Sequence, residues 1–204
     1  MNPAPLLLAD IADHRAYERE RDEFRREVIA VKKLRRVRLG PVVTLLFESR
    51  LTVRFQIQEM ARAEKLTSDA QIQRELDVYN QLLPRPGELS ATLFLELTTE
   101  EDLRMWLPRL VGIERSIVLE MGEGIGGHLV HSEPEANHES QLTRSGATSA
   151  VHYVRFRCNS DDLAAFHAGP VRLAVDHPEY AGGRSGVVLS EDTRSELFKD
   201  LTDG

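Results

Sequence analysis

Apolar residues recur at helical spacing through the first part of the chain. Phe24 and Val28 lie seven and eleven residues after Tyr17, which places all three on one face of a helix. This stripe predicts a first helix from about Asp13 to Leu39, ended by the breaker pair Gly40-Pro41.

Two further apolar stripes follow a short buried strand. Residues 42–47 are almost all apolar and predict that strand. Ser49 begins a helix that reaches about Glu64, and a capping box formed by Ser68 and Gln71 begins another that ends near residue 83. The first 83 residues are therefore expected to be mostly helical, with one strand inserted.

Alternation replaces helical spacing after Gly87. Leu93, Leu95 and Leu97 fall on one face of an extended segment. Predicted strands cover residues 90–97, 116–121, 128–131, 150–157 and 171–175, and helices begin near residues 99, 160 and 190. Residues 132–149 predict a flexible polar loop, and residues 176–186 predict a turn-rich one.

The order and spacing of these elements predict the fold class. The links between strands vary too much in length for a regular doubly wound sheet. We therefore predict a single α+β domain over residues 1–204. In it, a helical N-terminal part precedes a mixed or antiparallel sheet of about five strands with interspersed helices.

Charge and cysteine content narrow the classes of function. The net charge of −7 disfavours wholesale binding to nucleic acid or to anionic membranes, because phosphate neutralisation needs the opposite sign. Cys158 is the only cysteine, so the chain can form no internal disulfide and no cysteine-based metal centre. No apolar run approaches the roughly 20 residues of a membrane span. We expect a cytoplasmic protein with no membrane span and no cofactor.

Two segments have the composition of ligand-binding loops without the expected context. Residues 122–127 are glycine-rich, but the strand-like segment 128–131 follows where a phosphate-binding loop would open a helix, so a hairpin turn is favoured. His138 lies among carboxylates in the polar loop, yet no pair of ligands at helical spacing pre-organises a metal site. We predict no metal site and leave open whether either loop binds another ligand.

One cluster of titratable residues has the chemistry of a small active site. Asp176 and His177 are adjacent at the end of a predicted strand and could act as an acid–base pair. His152 and Arg155 on another strand could complete a cleft with them. A turn is the favoured explanation, because aspartate bonds its own backbone and Pro178 holds the preceding residue extended. The enzyme hypothesis requires these side chains to meet around one pocket.

A run of cations and a neighbouring polar helix predict a docking face. Cations at a helix C-terminus offset its dipole by about 0.3–1 kcal/mol each, and five of them exceed what that role needs. The predicted partner-binding residues are Lys32, Lys33, Arg35, Arg36, Arg38, Gln56, Gln58 and Glu59. A solvated surface is the alternative explanation.

Several stretches together resemble a known bacterial family. They are residues 17–25, 31–37, 39–41, 44–48, 55–64, 88–93, 151–156 and 176–178. In this order they resemble a family of about this length that is classified only as a domain of unknown function. The similarity covers nearly the whole chain and is densest over residues 17–95.

The resemblance implies a setting rather than an activity. Genes of that family often neighbour genes for rubrerythrin-like proteins and for iron–sulfur oxidoreductases similar to heterodisulfide reductase. The resemblance therefore implies an accessory role near a redox complex, with an iron–sulfur oxidoreductase or a rubrerythrin-like protein as partner. A homodimer is a further expectation.

Overall fold

A computed structural model describes residues 4–122, 127–135, 143–144 and 146–203 of the chain. The helices are α1 (His14–Arg35), α2 (Arg50–Ala63), α3 (Asp69–Tyr79), α4 (Glu100–Arg109), α5 (Ser160–Ala168) and α6 (Glu191–Asp203). Single 3₁₀ turns occupy Leu8–Asp10, Asn80–Leu82 and Ile113–Arg115. No helix in these ranges is both long and apolar enough to cross a membrane.

The strands form two antiparallel sheets and a small hairpin. They are β1 (Arg36–Leu39), β2 (Val43–Phe47), β3 (Glu88–Leu95), β4 (Ile117–Met121), β5 (His128–His131), β6 (Glu133–Pro134), β7 (Thr143–Arg144), β8 (Ala147–Thr148), β9 (Val151–Arg157), β10 (Val171–His177) and β11 (Gly183–Val188). The larger sheet has the order β1-β2-β3-β9-β6, the second has the order β11-β10-β4-β5, and β7 pairs with β8. The α+β class with a helical N-terminal part and antiparallel pairing is confirmed, with a second sheet beside the five-stranded one.

The first helix is shorter than its apolar stripe suggests. α1 ends at Arg35, and the next four residues form β1, in which Val37 and Leu39 are buried between exposed arginines. That alternation has the period of a strand, which decides the structure of the segment once β2 pairs with it. Gly40, with φ of 76°, therefore lies in a hairpin turn rather than at a helix end. A Cβ atom there would approach the Tyr180 hydroxyl to 2.8 Å.

The second correction concerns the turn-rich segment 176–186. β10 continues to His177, and β11 runs antiparallel to it from residue 183, so that the loop between them is only residues 178–182. The small residues of β11 hide its strand character in the sequence. Gly186 has a physical reason to be there, because a Cβ atom would lie 2.6 Å from the Leu173 carbonyl oxygen.

The main core lies between the two sheets. Leu45, Leu93 and Phe156 of the larger sheet belong to the same buried apolar cluster as Leu119 and Leu173 of the second sheet. Residue 132 alone separates β5 from β6, so one stretch of chain passes from one sheet to the other. Residues of α5 and α6 complete this cluster: Phe166, Leu197 and Leu201.

The N-terminal helices build two smaller clusters of their own. The first cluster lies between the N-terminal segment, α2 and α3 and includes Leu6, Ile57 and Leu76. The second cluster lies along α1 and includes Tyr17 and Phe24. Residues 123–126 of the glycine-rich turn lie outside the described residues, as do 136–142 and 145 of the predicted polar loop, including His138.

Candidate functional site

The cations at the end of α1 do not share one environment. Arg35 is 2% exposed, and its guanidinium donates two hydrogen bonds of 2.7 Å to Asp200 and one of 3.2 Å to Glu196. It also donates to the Glu48 carbonyl oxygen at 3.3 Å. Burial raises the pKa of Asp200 to about 6, although Arg35 opposes the shift. Arg35 therefore joins α6 to α1 and is not available to a partner.

Lys32 also contacts the rest of the protein rather than solvent alone. Its ammonium nitrogen lies 5.3 Å from the centroid of the Phe55 ring, within the range of a cation–π contact. Burial lowers the pKa of Lys32, and the nearby Glu48 carboxylate works against that shift. Lys32 is thus half-buried between α1 and α2.

Three of the five cations remain on the surface. Lys33, Arg36 and Arg38 are exposed. Arg36 lies 3.2 Å from the Glu96 carboxylate and 5.5 Å from the centroid of the Phe94 ring. Arg38 donates to two carbonyl oxygens of the following turn, at 3.2 and 2.8 Å. These three side chains are the part of the predicted basic face that solvent and a partner can reach.

The predicted polar residues of α2 contact the protein's own chain. Glu59 accepts hydrogen bonds from Arg21 at 2.8 Å and from the Tyr17 hydroxyl at 2.7 Å. The Arg21 hydrogen bond lowers the pKa of Glu59 to about 2. Gln58 is buried and bonds the backbone of the N-terminal segment, and Gln56 bonds Tyr79.

His152 and Arg155 lie on opposite faces of β9. The register pairs His152 with Leu93 of the main core, whereas Arg155 pairs with Ser90 on the other face. Arg155 donates to Glu88 at 2.9 Å. The two side chains therefore contact different parts of the protein.

Asp176 and His177 likewise have separate structural contacts. Asp176 is exposed and lies 3.5 Å from Arg184 of the adjacent strand. The His177 Nε2 atom lies 3.1 Å from the Val111 carbonyl oxygen, and its Nδ1 atom accepts from the Glu179 amide at 3.2 Å. These contacts stabilise the start of the β10–β11 turn.

His152 has a second neighbour that the sequence does not reveal. Its Nδ1 atom lies 3.7 Å from Glu114 Oε2, and both atoms are buried without a hydrogen-bond partner in the described structure. Its Nε2 atom lies 2.7 Å from the Ser149 carbonyl oxygen. Burial lowers the pKa of His152, with Ser149 and Glu114 opposing the shift. His152 and Glu114 therefore bring a base and an acid together, whereas Asp176 and His177 contact other residues.

Two kinds of chemistry, metal binding and thiol reactivity, can be assessed among the described residues. No group of three or more His, Cys, Asp or Glu side chains among them converges as a metal site would require. Burial, with a contribution from Asp162, raises the pKa of Cys158 to about 12, so the thiol stays protonated at neutral pH.

A cleft of about 330 Å³ opens among the N-terminal helices. Its lining includes Ala61, Leu66 and Ile72, with Arg15 and Arg62 among its charged members. Its volume is at the lower end of the range for ligand pockets. Sequence patterns gave no sign of it, because its walls come from three helices and the N-terminal segment.

Comparison with known proteins settles the family. A family model described as a protein of unknown function, DUF3501, matches residues 5–201. The chain belongs to the DUF3501 family. It is also similar to a crystal structure of a novel protein of unknown function from Burkholderia pseudomallei K96243. The identity is 34%, the coverage is 97% of this chain and 100% of that one, and the TM-score is 0.87. No curated protein matches the chain.

One further buried group of this DUF3501 member escaped sequence analysis. Glu48 follows β2 directly and is 2% exposed. Its two carboxylate oxygens accept from the Thr92 hydroxyl at 2.6 Å and from the Thr52 hydroxyl at 2.5 Å. A carboxylate placed immediately after an almost wholly apolar strand is the sequence signal that could have identified it.

Proposed function

We propose that this protein acts by binding another protein at the surface where α1 meets β1. This surface, the α1–β1 junction, comprises Ile29, Lys33, Leu34, Arg36 and Arg38. Ile29 is 55% exposed and Leu34 is 37% exposed. Protein interfaces combine apolar contacts with a charged rim, so this mixture supports docking over a merely solvated helix end.

The observation that carries the proposal is a local reversal of charge. The chain has a net charge of −7, yet Lys33, Arg36 and Arg38 are all exposed within six consecutive residues. A cationic patch on an acidic protein attracts a partner with a complementary acidic surface. The favoured partner therefore presents carboxylates.

The class of partner comes from the family resemblance described above. We propose an iron–sulfur oxidoreductase or a rubrerythrin-like protein that meets this chain in the cytoplasm. We propose an accessory role, as the family resemblance implies. Association through surface cations should weaken as salt rises, since exposed charges are screened over about 8–10 Å at physiological ionic strength.

The test is charge reversal at the junction. A variant with Lys33→Glu, Arg36→Glu and Arg38→Glu should lose co-purification with the proposed iron–sulfur oxidoreductase or rubrerythrin-like partner from the native host. Arg35 is left intact because it is buried and its loss would disturb the fold. The control changes three other exposed arginines, Arg74, Arg85 and Arg104, to glutamate, so that net charge changes equally.

The two variants give opposite expectations. The control should bind the partner with the affinity of the original chain. The junction variant should bind with an affinity lower by a factor of about ten or more. Equal binding by both variants would show that the junction is not the contact. Failure of the unmodified chain to bind the oxidoreductase or rubrerythrin would overturn the partner assignment.

A further inference from the structure

The cleft among the N-terminal helices has one wall made by the N-terminal arm, residues 4–13. Apolar side chains of the arm, of α2, of α3 and of the loop between these helices line it, among them Leu8, Ile11, Ala61, Leu66 and Ile72. The arm is therefore part of the cleft and leaves its interior open. A volume of about 330 Å³ is suited to a small organic molecule.

Two side-chain amides hold the arm in place as a wall. Asn80 Oδ1 accepts from the Leu6 amide at 2.8 Å, and Asn80 Nδ2 donates to the Leu6 carbonyl oxygen at 3.0 Å. Gln58 forms the same pair of hydrogen bonds with Ala12, at 3.0 and 2.9 Å. The cleft is thus formed before a ligand enters, so binding does not have to order the arm.

Most polar groups around the cleft already have partners within the chain. The Tyr17 hydroxyl donates to Glu59 at 2.7 Å, and the Asp13 carboxylate accepts from a backbone amide of α1 at 2.9 Å. The Arg62 guanidinium donates to Glu18. A ligand gains little from groups that are already paired, so the part of it inside the cleft should be aliphatic.

Arg15 differs from these groups. It is exposed in the first turn of α1, and its guanidinium makes no hydrogen bond or salt bridge with another described residue. The positive end of the helix dipole opposes a cation at this position, and the nearby Asp13 carboxylate is already engaged as the helix cap. Asp69 also lines the cleft, but the dipole of α3 already favours its negative charge. The charge left without compensation at the cleft is therefore positive.

We infer that this cleft binds a small aliphatic carboxylate. The aliphatic chain lies against Ile11, Leu66 and Ile72, and the carboxylate pairs with Arg15. The cleft is at the N-terminal end of α1, whereas the α1–β1 junction is at its C-terminal end. The inference therefore stands or fails independently of the proposed function.

Titration of the full chain with hexanoate tests this inference, with the backbone amide resonances of isotope-labelled protein as the measurement. Saturable shifts are expected at Ile11, Leu66 and Ile72. Among shorter and longer straight-chain carboxylates, each added methylene should tighten binding by about fourfold until the cleft is full. Hexanol lacks the charge and hexylamine reverses it, so both should bind more weakly than hexanoate, and hexylamine the most weakly.

Two pairs of variants separate the charge from the apolar wall. Arg15→Gln should weaken hexanoate binding by about fivefold, the effect of losing an exposed ion pair, and leave hexanol binding unchanged. Arg19→Gln is its matched control, an exposed arginine of the same helix outside the cleft. Leu66→Glu should abolish hexanoate binding by placing a like charge in the wall. Val78→Glu is the control for that change, because Val78 is 49% exposed and lies outside the cleft.

Three results would overturn the inference. One is the absence of saturable shifts with hexanoate, or shifts confined to residues outside the cleft. Another is hexylamine that binds as tightly as hexanoate. The third is an equal affinity for hexanoate in the Arg15→Gln and Arg19→Gln variants, which differ only in which exposed arginine is replaced and so remain comparable if Leu66→Glu does not fold.

Discussion

Replacing Arg35 with methionine should destabilise this protein far more than the same change at its neighbour Lys33. The Arg35 guanidinium is almost fully buried and serves two carboxylates, Asp200 at 2.7 Å and Glu196 at 3.2 Å. Methionine retains much of the apolar stem but removes the guanidinium from Asp200 and leaves Glu196 with the more exposed Lys199 at 2.7 Å. Removing one partner of a buried ion pair typically costs about 3–5 kcal/mol.

The structure refines this magnitude and gives it a pH dependence. The side chains of Asp200 and Glu196 are 13% and 16% exposed, so water relieves part of the penalty and about 3 kcal/mol is expected at pH 7. Without Arg35, the pKa of Asp200 should rise further above its present value of about 6. A raised carboxyl pKa means that the variant loses stability as pH rises, so its deficit should be smaller at pH 5 than at pH 7.

Urea unfolding followed by circular dichroism at the two pH values measures both effects. Lys33→Met should change the free energy of unfolding by no more than about 0.5 kcal/mol, because that side chain is exposed. Adding Asp200→Leu to Arg35→Met should recover part of the loss, since it removes one uncompensated charge. A loss below about 1 kcal/mol for Arg35→Met at pH 7 would refute the ion-pair reasoning.

Three other changes test separate contacts by the same unfolding measurement. Glu59→Gln should lower the free energy of unfolding at pH 7 by about 1–2 kcal/mol. It should also flatten the fall in stability between pH 4.5 and 2, because a carboxyl group with a depressed pKa stabilises the fold fully only above that window. A fall in stability between these pH values as steep as that of the original chain would contradict this. Tyr180→Phe removes a hydroxyl that forms hydrogen bonds with three backbone groups of the β1–β2 turn, and the free energy of unfolding should fall by about 1–3 kcal/mol. An unchanged stability would indicate that water replaces the hydroxyl. Glu114→Met should stabilise the protein by about 1 kcal/mol, because it removes a buried oxygen without a hydrogen bond; destabilisation would instead indicate an attractive contact with His152.

The candidate surface was predictable only in part from the sequence. The run of cations around residue 35 was predicted as a single basic face, but periodicity could not distinguish buried Arg35 from exposed Lys33. That difference depends on α6, whose carboxylates lie more than 160 residues away along the chain. Gln58 was likewise predicted to face a partner and instead holds the N-terminal arm, because its environment is set by a segment outside its own helix.

Local patterns in the sequence determined most of the elements and the α+β class. Apolar stripes, capping residues such as Ser68 and the alternation of β3 depend on neighbours a few residues apart, and these patterns predicted the helices and most strands. The boundary between α1 and β1, the strand character of β11 and the division into two sheets were decided by tertiary structure. β1 and β11 become strands by pairing across short turns with β2 and β10, and the small residues of β11 leave little local pattern of that pairing. The division into two sheets depends on pairings between strands far apart in the chain, such as β3 with β9 and β4 with β10.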